Sequence, residues 1–167
     1  KTFCEKFFED SSPFISFEFF KCLERTGCTN FDTGWEPEHL IIENNRKSIG
    51  FIPNFKKQNS NGEYIFDHVF ANAHHQIGTN YYPKYLSAIP FTPVPKEKIF
   101  YGESEINTTQ LADLLKKYCV EKKISSFNFN FIDKKNSELL NKEDFYQRFG
   151  IQYYWYNKSY ENFNSFL

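Results

Sequence analysis

The segment "YYPKYLSAIPFTPVP", residues 81–95, constrains the fold of this chain more than any other stretch. Its four prolines argue against a helix, because proline lacks an amide hydrogen and clashes with the preceding helical turn. Its aromatic and aliphatic residues argue against an ordinary solvated turn, in which Gly, Asn, Asp and Ser dominate. We therefore expect a stiff segment that runs from a short helix into a strand and out again.

Composition indicates one folded domain. The chain has 167 residues, of which 40% are hydrophobic and 20% aromatic, and disordered chains are poor in both classes. Its 20 basic and 21 acidic residues nearly cancel, which disfavours a bulk nucleic-acid partner. No apolar run reaches the roughly 18 residues of a membrane span, and no signal peptide is visible. We expect a cytoplasmic protein, with Cys4, Cys22, Cys28 and Cys119 as free thiols because none stands in a CxxC pair.

Periodicity and turn signals predict the secondary structure. Residues 11–27 form a predicted helix that begins at Ser12, and residues 107–123 form the clearest helix, capped by Thr108 or Thr109. The buried stripe of this second helix is predicted to contain Leu111, Leu114, Leu115, Tyr118 and Cys119. The other predicted elements are a hairpin turning at residues 44–46, a strand at 63–69, a short helix ending at Gly78, a short strand at 87–91, a strand at 125–132, a helix at 142–150, a strand at 151–157 and a last helix at 159–167.

The stretch "SSFNFNFID" alternates strictly, so Phe127, Phe129 and Phe131 are predicted to face the core of an interior strand. Helices alternate with strands in the second half of the chain. This order predicts an α/β fold, with helices layered on a mixed sheet.

Two pairs of side chains could carry acid–base or metal chemistry. Glu63 and Asp67 fall on the same side of the predicted strand, as a paired carboxylate site or as a polar strand edge. His74 and His75 are adjacent and therefore point in different directions, which disfavours one shared metal ion. No HxH or HxxxH spacing is present, and we predict no metal.

Lys84 is the most unusual charge, because it stands between Tyr82, Pro83 and Tyr85. Its ammonium either packs against the aromatic rings or waits for an anionic group of a ligand. Asn128 alternates with the phenylalanines of "FNFNF" and meets either solvent or a cavity.

Several motifs resemble one bacterial family. "SPFISFEFF", "TGWEPEHLII", "GEYIFD" and above all "ANAHHQIGTNYYPKYLSAIPFTPV" are similar to motifs of the FemAB-like acyltransferases of the GNAT fold, which are often labelled peptidoglycan biosynthesis or recognition proteins. The closing "GIQYYWYNKSYENFNSFL" also fits, so the resemblance covers roughly residues 11–167.

The resemblance implies a GNAT-like domain over residues 1–167, with a mixed, mostly antiparallel sheet flanked by helices. Relatives pair two such halves, so this chain would be the first half and its own C-terminal half a partner. The implied reaction transfers an acyl or aminoacyl group to the amine of a small-molecule or peptide-like acceptor. The donor is left open between acyl-CoA and aminoacyl-tRNA, because the R/QxxGxG/A loop of simple GNAT enzymes is absent.

Roles follow from the resemblance and from residue chemistry. Glu63 or Asp67 would be the general base, with His74 or His75 as the alternatives. Tyr81, Tyr82 and Phe91 would line a pocket wall, Lys84 and Tyr82 would hold the acceptor's anionic group, and Asn128 would contact the acceptor.

Three positions depart from the family pattern. The family usually carries histidine where this chain has Phe17, and often where it has Asn128 and Tyr154. These losses leave open a second function, in which the domain recognises the acceptor without catalysing transfer.

Balanced charge generates a first testable prediction. Because the chain offers no excess of Lys and Arg to displace counterions, it should show no submicromolar binding to duplex DNA or RNA at physiological salt. A fluorescence titration with labelled duplexes measures this, and tight, salt-sensitive binding would contradict it.

Overall fold

The computed structural model describes residues 12–101 and 107–167. The helices are α1 (Phe17–Arg25), α2 (His68–Gln76), α3 (Thr108–Lys122), α4 (Lys134–Asn141) and α5 (Phe163–Phe166). The strands are β1 (Glu36–Pro37), β2 (Leu40–Asn44), β3 (Lys47–Ile52), β4 (Phe55–Lys57), β5 (Lys84–Ser87), β6 (Phe100–Tyr101) and β7 (Phe127–Phe129).

A long bent hairpin links the two sheets. β2 and β3 pair antiparallel around a turn in which Asn45 and Arg46 both have positive φ, as predicted for residues 44–46. The pairing is interrupted at the end of β2 and β3 and then continues in the same register, where β1 pairs with β4. At the break Asn54 donates its side-chain amide to the Glu38 carbonyl oxygen (3.1 Å), and the Glu38 amide donates back to the Asn54 carbonyl (2.9 Å).

The strands form two sheets. One sheet has the order β1-β4-β5-β7 and the other the order β2-β3-β6. Four of the five strand pairs are antiparallel, and β5 pairs with β7 in parallel. The connection between these parallel strands includes α3, which packs on β7. The architecture is therefore the expected mixed α/β fold with a mostly antiparallel sheet flanked by helices, and it is consistent with an acyltransferase-like fold.

Three groups of buried side chains form the core. The largest lies between α3 and the strands and includes Ile52, Tyr85, Leu111 and Leu115. A second group surrounds Trp35, on the face of β5 that carries Leu86. Because Tyr85 and Leu86 point to opposite faces, β5 is buried on both sides, which explains the apolar character of the segment after Lys84.

The helix predictions are largely confirmed, with different caps. Ser16 caps α1 by accepting from the Phe19 amide (3.2 Å), so the helix starts later than predicted. Asn107 caps α3 in the same way (3.1 Å), instead of Thr108 or Thr109. Leu114 of the predicted stripe is 56% exposed, and Ala112 is buried in its place. Since α3 packs through a narrow face, Leu114 falls outside it.

The predicted strand at 63–69 is wrong. Residues 64–66 are irregular, and His68 already begins α2, which ends as predicted just before Gly78. The alternating apolar and polar residues in this stretch belong to a turn and to the start of a helix, and not to a strand. Glu63 and Asp67 are nevertheless both buried.

The second half of the chain also departs from prediction. The predicted strand at 125–132 is reduced to Phe127–Phe129 and lies at the end of its sheet, with Phe129 only partly buried and Phe131 at positive φ. The helix predicted at 142–150 is wrong: residues 142–144 form a turn and residues 145–150 are irregular. The helix of this region is α4, which Asp133 caps and which ends at Asn141. Residues 151–157 form no strand, and their side chains are exposed. The last helix is confirmed but short.

Two glycines generate a matched test of packing beside β5. Gly62 (φ 75°) and Gly78 (φ 71°) both adopt the left-handed conformation that disfavours other residues. A Cβ at position 62 would lie 2.9 Å from the Phe91 ring and 3.1 Å from Trp35 Nε1, whereas one at position 78 would meet nothing within 4 Å.

We expect Gly78→Ala to cost roughly 1–2 kcal/mol, the strain of the left-handed conformation alone. Gly62→Ala should cost clearly more, because Phe91 or Trp35 must also move. Urea unfolding of both variants measures the difference. Equal losses of stability would show that Phe91 does not pack tightly over the turn.

Candidate functional site

Lys84, the first residue of β5, is the centre of a buried ionic cluster. Its ammonium donates to Glu63 Oε2 (2.7 Å) and to Asp67 Oδ2, and Ser60 Oγ lies 3.5 Å away. β5 fixes the lysine backbone by pairing with β4, where Lys84 lies opposite Lys57. A lysine that begins a strand thus binds two carboxylates carried by the turn before α2 and by the α2 cap.

Asp67 accepts hydrogen bonds on both carboxylate oxygens. Oδ2 accepts from Lys84 and from the Tyr81 hydroxyl (2.8 Å), and Oδ1 accepts from Arg148 Nη1 (2.6 Å). Three donors from two parts of the chain, residues 81–84 and Arg148, therefore hold one carboxylate. This carboxylate has the partners that a buried charge requires.

Glu63 is less completely paired. Its Oε2 accepts from Lys84, but Oε1 is buried without a hydrogen-bond partner. A second cation, the Lys57 ammonium, lies 3.9 Å from Oε1. It donates to the Asn61 carbonyl (3.2 Å) and stands 3.7 Å from the centre of the Trp35 ring. One carboxylate oxygen of Glu63 is thus open to a further donor.

Aromatic residues enclose the cluster. The Tyr82 hydroxyl and Ser60 Oγ are hydrogen-bonded (2.7 Å), and the Tyr81 and Tyr82 rings meet edge to face with centroids 4.9 Å apart. The Ser125 hydroxyl donates to the Tyr81 carbonyl, which ties this segment to the start of β7. The Tyr82–Pro83 peptide bond is cis.

The pKa values of the two carboxyls shift in opposite directions, although both groups contact Lys84. Burial raises the pKa of Glu63 more than Lys84 and Lys57 lower it. Burial also acts on Asp67, but hydrogen bonds from Lys84, Arg148 and Tyr81 outweigh it and hold the pKa of that carboxyl below its ordinary value. Two carboxyls whose environments separate their pKa values are the usual arrangement of an acid–base pair.

Two further groups in the cluster are shifted. Burial lowers the pKa of Lys57 to about 8, with Lys84 contributing in the same direction and Glu63 opposing it. Burial and the hydrogen bond to Asp67 raise the pKa of Tyr81, so its hydroxyl keeps its proton. Tyr81 therefore acts as a donor at neutral pH.

The structure brings five of the predicted site residues together: Glu63, Asp67, Tyr81, Tyr82 and Lys84. Whether any of them contacts an acceptor stays a prediction.

The other four predicted residues lie around or away from the cluster. His74 meets the Tyr81 ring edge to face (5.3 Å between centroids) and contacts Thr79 Oγ1 (3.0 Å), while His75 is exposed. Phe91 packs on Trp35 (5.3 Å between centroids). Asn128 donates to the Tyr85 carbonyl (3.2 Å) and to Ser126 Oγ (2.9 Å), contacts within its own sheet.

Sequence reasoning missed three members of the cluster. Arg148 lies 81 positions after Asp67, inside a segment predicted as a helix, and no pattern connected the two. Lys57 lies opposite Lys84 in the pairing of β4 with β5, and no sequence pattern predicts this contact. Ser60 looked like an ordinary turn residue.

Within residues 12–101 and 107–167, no three His, Cys, Asp or Glu side chains are grouped so as to hold a metal ion. In the same ranges, no helix has the length and apolar character needed to cross a membrane.

Fold and site together define a mixed α/β fold that encloses a buried lysine–carboxylate cluster. A family model described as peptidoglycan biosynthesis/recognition, FemAB-like, matches residues 2–167. The chain belongs to this FemAB-like family. No curated protein and no solved structure matches it.

The different pairing of the two carboxylates generates a prediction about stability. Asp67→Asn should cost roughly 3–5 kcal/mol at pH 7, because Lys84 and Arg148 both lose a charged partner. Glu63→Gln should cost less, because it replaces a carboxyl whose charged form burial already disfavours and keeps an oxygen for Lys84. Urea unfolding of both variants measures this, and an equal or larger loss for Glu63→Gln would contradict it.

The pH dependence has a definite sign. A depressed pKa means that folding favours the ionised form of Asp67, so its contribution is complete above the unfolded pKa of about 3.9. That contribution falls as pH drops through the folded pKa. The stability difference between the native sequence and Asp67→Asn should therefore narrow below about pH 4, where Asp67 begins to take up its proton in the unfolded chain.

Proposed function

We propose that this domain acts in the transfer of an acyl or aminoacyl group to the amine of a cell-wall precursor, with Glu63 as the general base. The family supports the cell-wall context, since its model describes peptidoglycan biosynthesis or recognition. The observation that carries the proposal is Glu63 Oε1, a buried carboxylate oxygen without a hydrogen-bond donor. An amine is the kind of donor that would satisfy it.

Glu63 suits the role better than Asp67 does. A general base works best when its pKa lies near the working pH, and burial moves the pKa of Glu63 upward toward that range. The pKa of Asp67 moves the other way, and its two oxygens already accept from three donors. Asp67 would therefore keep Lys84 and Tyr81 in position.

The proposed step balances as follows. The acceptor amine attacks the carbonyl carbon of an activated ester or thioester, and a C–N bond forms. The amine proton passes to Glu63 Oε1, the C–O or C–S bond of the donor breaks, and the leaving oxygen or sulfur receives that proton. Acyl-CoA and aminoacyl-tRNA both supply such a carbonyl. Holding the amine and the carbonyl together would supply much of the acceleration.

A second function is recognition of the acceptor without transfer. It is favoured by the hydrogen bonds within the cluster. Lys84 donates to Glu63 and Asp67, and Asp67 also accepts from Arg148, so these groups are already paired with one another. On this alternative the domain would bind the amine-bearing peptide and leave the chemistry to another domain.

A mass-spectrometric assay separates the two functions. A peptide with a free side-chain amine, as in cell-wall precursors, is incubated with the protein and either acyl-CoA or a total aminoacyl-tRNA pool. Transfer adds the mass of the acyl group to the peptide. We expect Glu63→Gln to lower the rate by a factor of roughly 10²–10⁴, the usual contribution of a general base.

Glu121→Gln, on the exposed side of α3, is the matched control and should leave the rate unchanged. Equal rates for the native protein and Glu63→Gln would remove Glu63 from the chemistry. Binding of the peptide by calorimetry without any mass increment, from either donor, would favour recognition.

A further inference from the structure

Arg148 is the one member of the cluster whose cation is open to solvent. Its side chain is 51% exposed, whereas those of Lys57 and Lys84 are 0% and 1% exposed. It comes from the segment that follows α4 and reaches back across the fold to Asp67. Arg148 therefore lies at the surface of an otherwise enclosed ionic site.

Two contacts fix the guanidinium. Arg148 Nη1 donates to Asp67 Oδ1 (2.6 Å), and the guanidinium carbon lies 4.9 Å from the centre of the Phe70 ring. Arginine has five N–H donors in a planar fork, and in the described part of the chain only Asp67 accepts from it. One guanidinium nitrogen is bound to Asp67 and the group lies over the Phe70 ring, and these two contacts restrict the orientation of the remaining donors.

The charge of the cluster favours an anion at this position. Three cations (Lys57, Lys84 and Arg148) meet two carboxylates (Glu63 and Asp67), which leaves one positive charge in excess when all are ionised. The lysine ammoniums are enclosed by protein oxygens and aromatic rings. Of these three cations, the Arg148 guanidinium is therefore the one that an anion in solution can reach.

We propose that Arg148 forms, over the Phe70 ring, a binding site for an oxyanion, a carboxylate or a phosphate of the acceptor. Planar oxyanions match the guanidinium fork, and a guanidinium held in place loses less entropy on binding than a mobile one. The lysine ammonium would then keep the carboxylates in place while Arg148 contacts the anion. Only the assignment of the anion to the acceptor rests on the proposed function.

NMR offers a direct test, because the chain contains three arginines: Arg25, Arg46 and Arg148. Each gives one side-chain Nε–H signal, assigned by substitution. Sodium acetate and sodium phosphate are titrated at constant ionic strength against sodium chloride. We expect the Arg148 signal to shift along a saturating curve with one or both anions, and the other two to follow the chloride baseline. The anion that binds more tightly identifies the group on the acceptor.

Arg148→Lys keeps the charge but loses the fork. Followed through the backbone amides of α2, its affinity for the anion should fall about tenfold, the effect of losing one charge-assisted hydrogen bond. Arg46→Lys, in the exposed hairpin turn, is the matched control and should bind as the native protein does. Near-ultraviolet circular dichroism verifies that both variants are folded.

Equal, non-saturating shifts of all three arginine signals, or unchanged affinity in Arg148→Lys, would overturn the site. The result is separate from the transfer assay. Anion binding without acyl transfer would remove the proposed function and keep the site, whereas transfer without anion binding would do the reverse.

Discussion

The ion pairs of Lys84 hold together parts of the chain that few other contacts join. Removing a charge from water costs several kcal/mol even after relaxation, so a buried ammonium persists only with well-placed partners. Here the partners come from the turn before α2 and from its cap, and Arg148 adds the segment after α4. α2 itself has no buried residue, so its position depends more on Asp67 at its start than on hydrophobic packing.

The proposed chemistry of the cluster depends on the unequal pairing of its two carboxylates. If both oxygens of each carboxylate accepted hydrogen bonds, neither carboxylate would have an oxygen free to take a proton. Asp67 approaches that condition, while Glu63 keeps an unpaired oxygen and has its pKa raised by burial. The Lys57 ammonium lies 3.9 Å from that oxygen, beyond hydrogen-bonding distance, and contacts the Asn61 carbonyl and the Trp35 ring instead.

Local signals in the sequence predicted part of the local structure. The hairpin turn, the end of α2 near Gly78 and most of α3 follow from short-range rules, and Lys84 was singled out because a charge among aromatic residues is unusual. What failed depended on distant contacts. Glu63 and Asp67 were paired for the wrong reason, as neighbours on a strand, whereas Lys84 draws them together across a turn. Arg148 could not be found, because nothing in "KEDFYQRFG" indicates that it reaches Asp67. Residues 151–157 have strand-like composition, but in the described fold no neighbouring strand pairs with them.

The departures from the family pattern also limit where acid–base chemistry can lie. Of the three positions at which the resemblance implies histidine, Asn128 uses its amide on Tyr85 and Ser126, and the Tyr154 hydroxyl contacts Gln152 in an exposed segment. Phe17 offers no proton acceptor at all. His39 is present, but its Nδ1 accepts from the Asn54 amide and its Nε2 faces Glu24, so its lone pair is already used. Of the remaining histidines, His74 packs against the Tyr81 ring and contacts Thr79, and His75 is exposed, so both lie beside the Lys84 cluster and not within it. For the proposed transfer, Glu63 is therefore the carboxylate of the Lys84 cluster that remains incompletely paired.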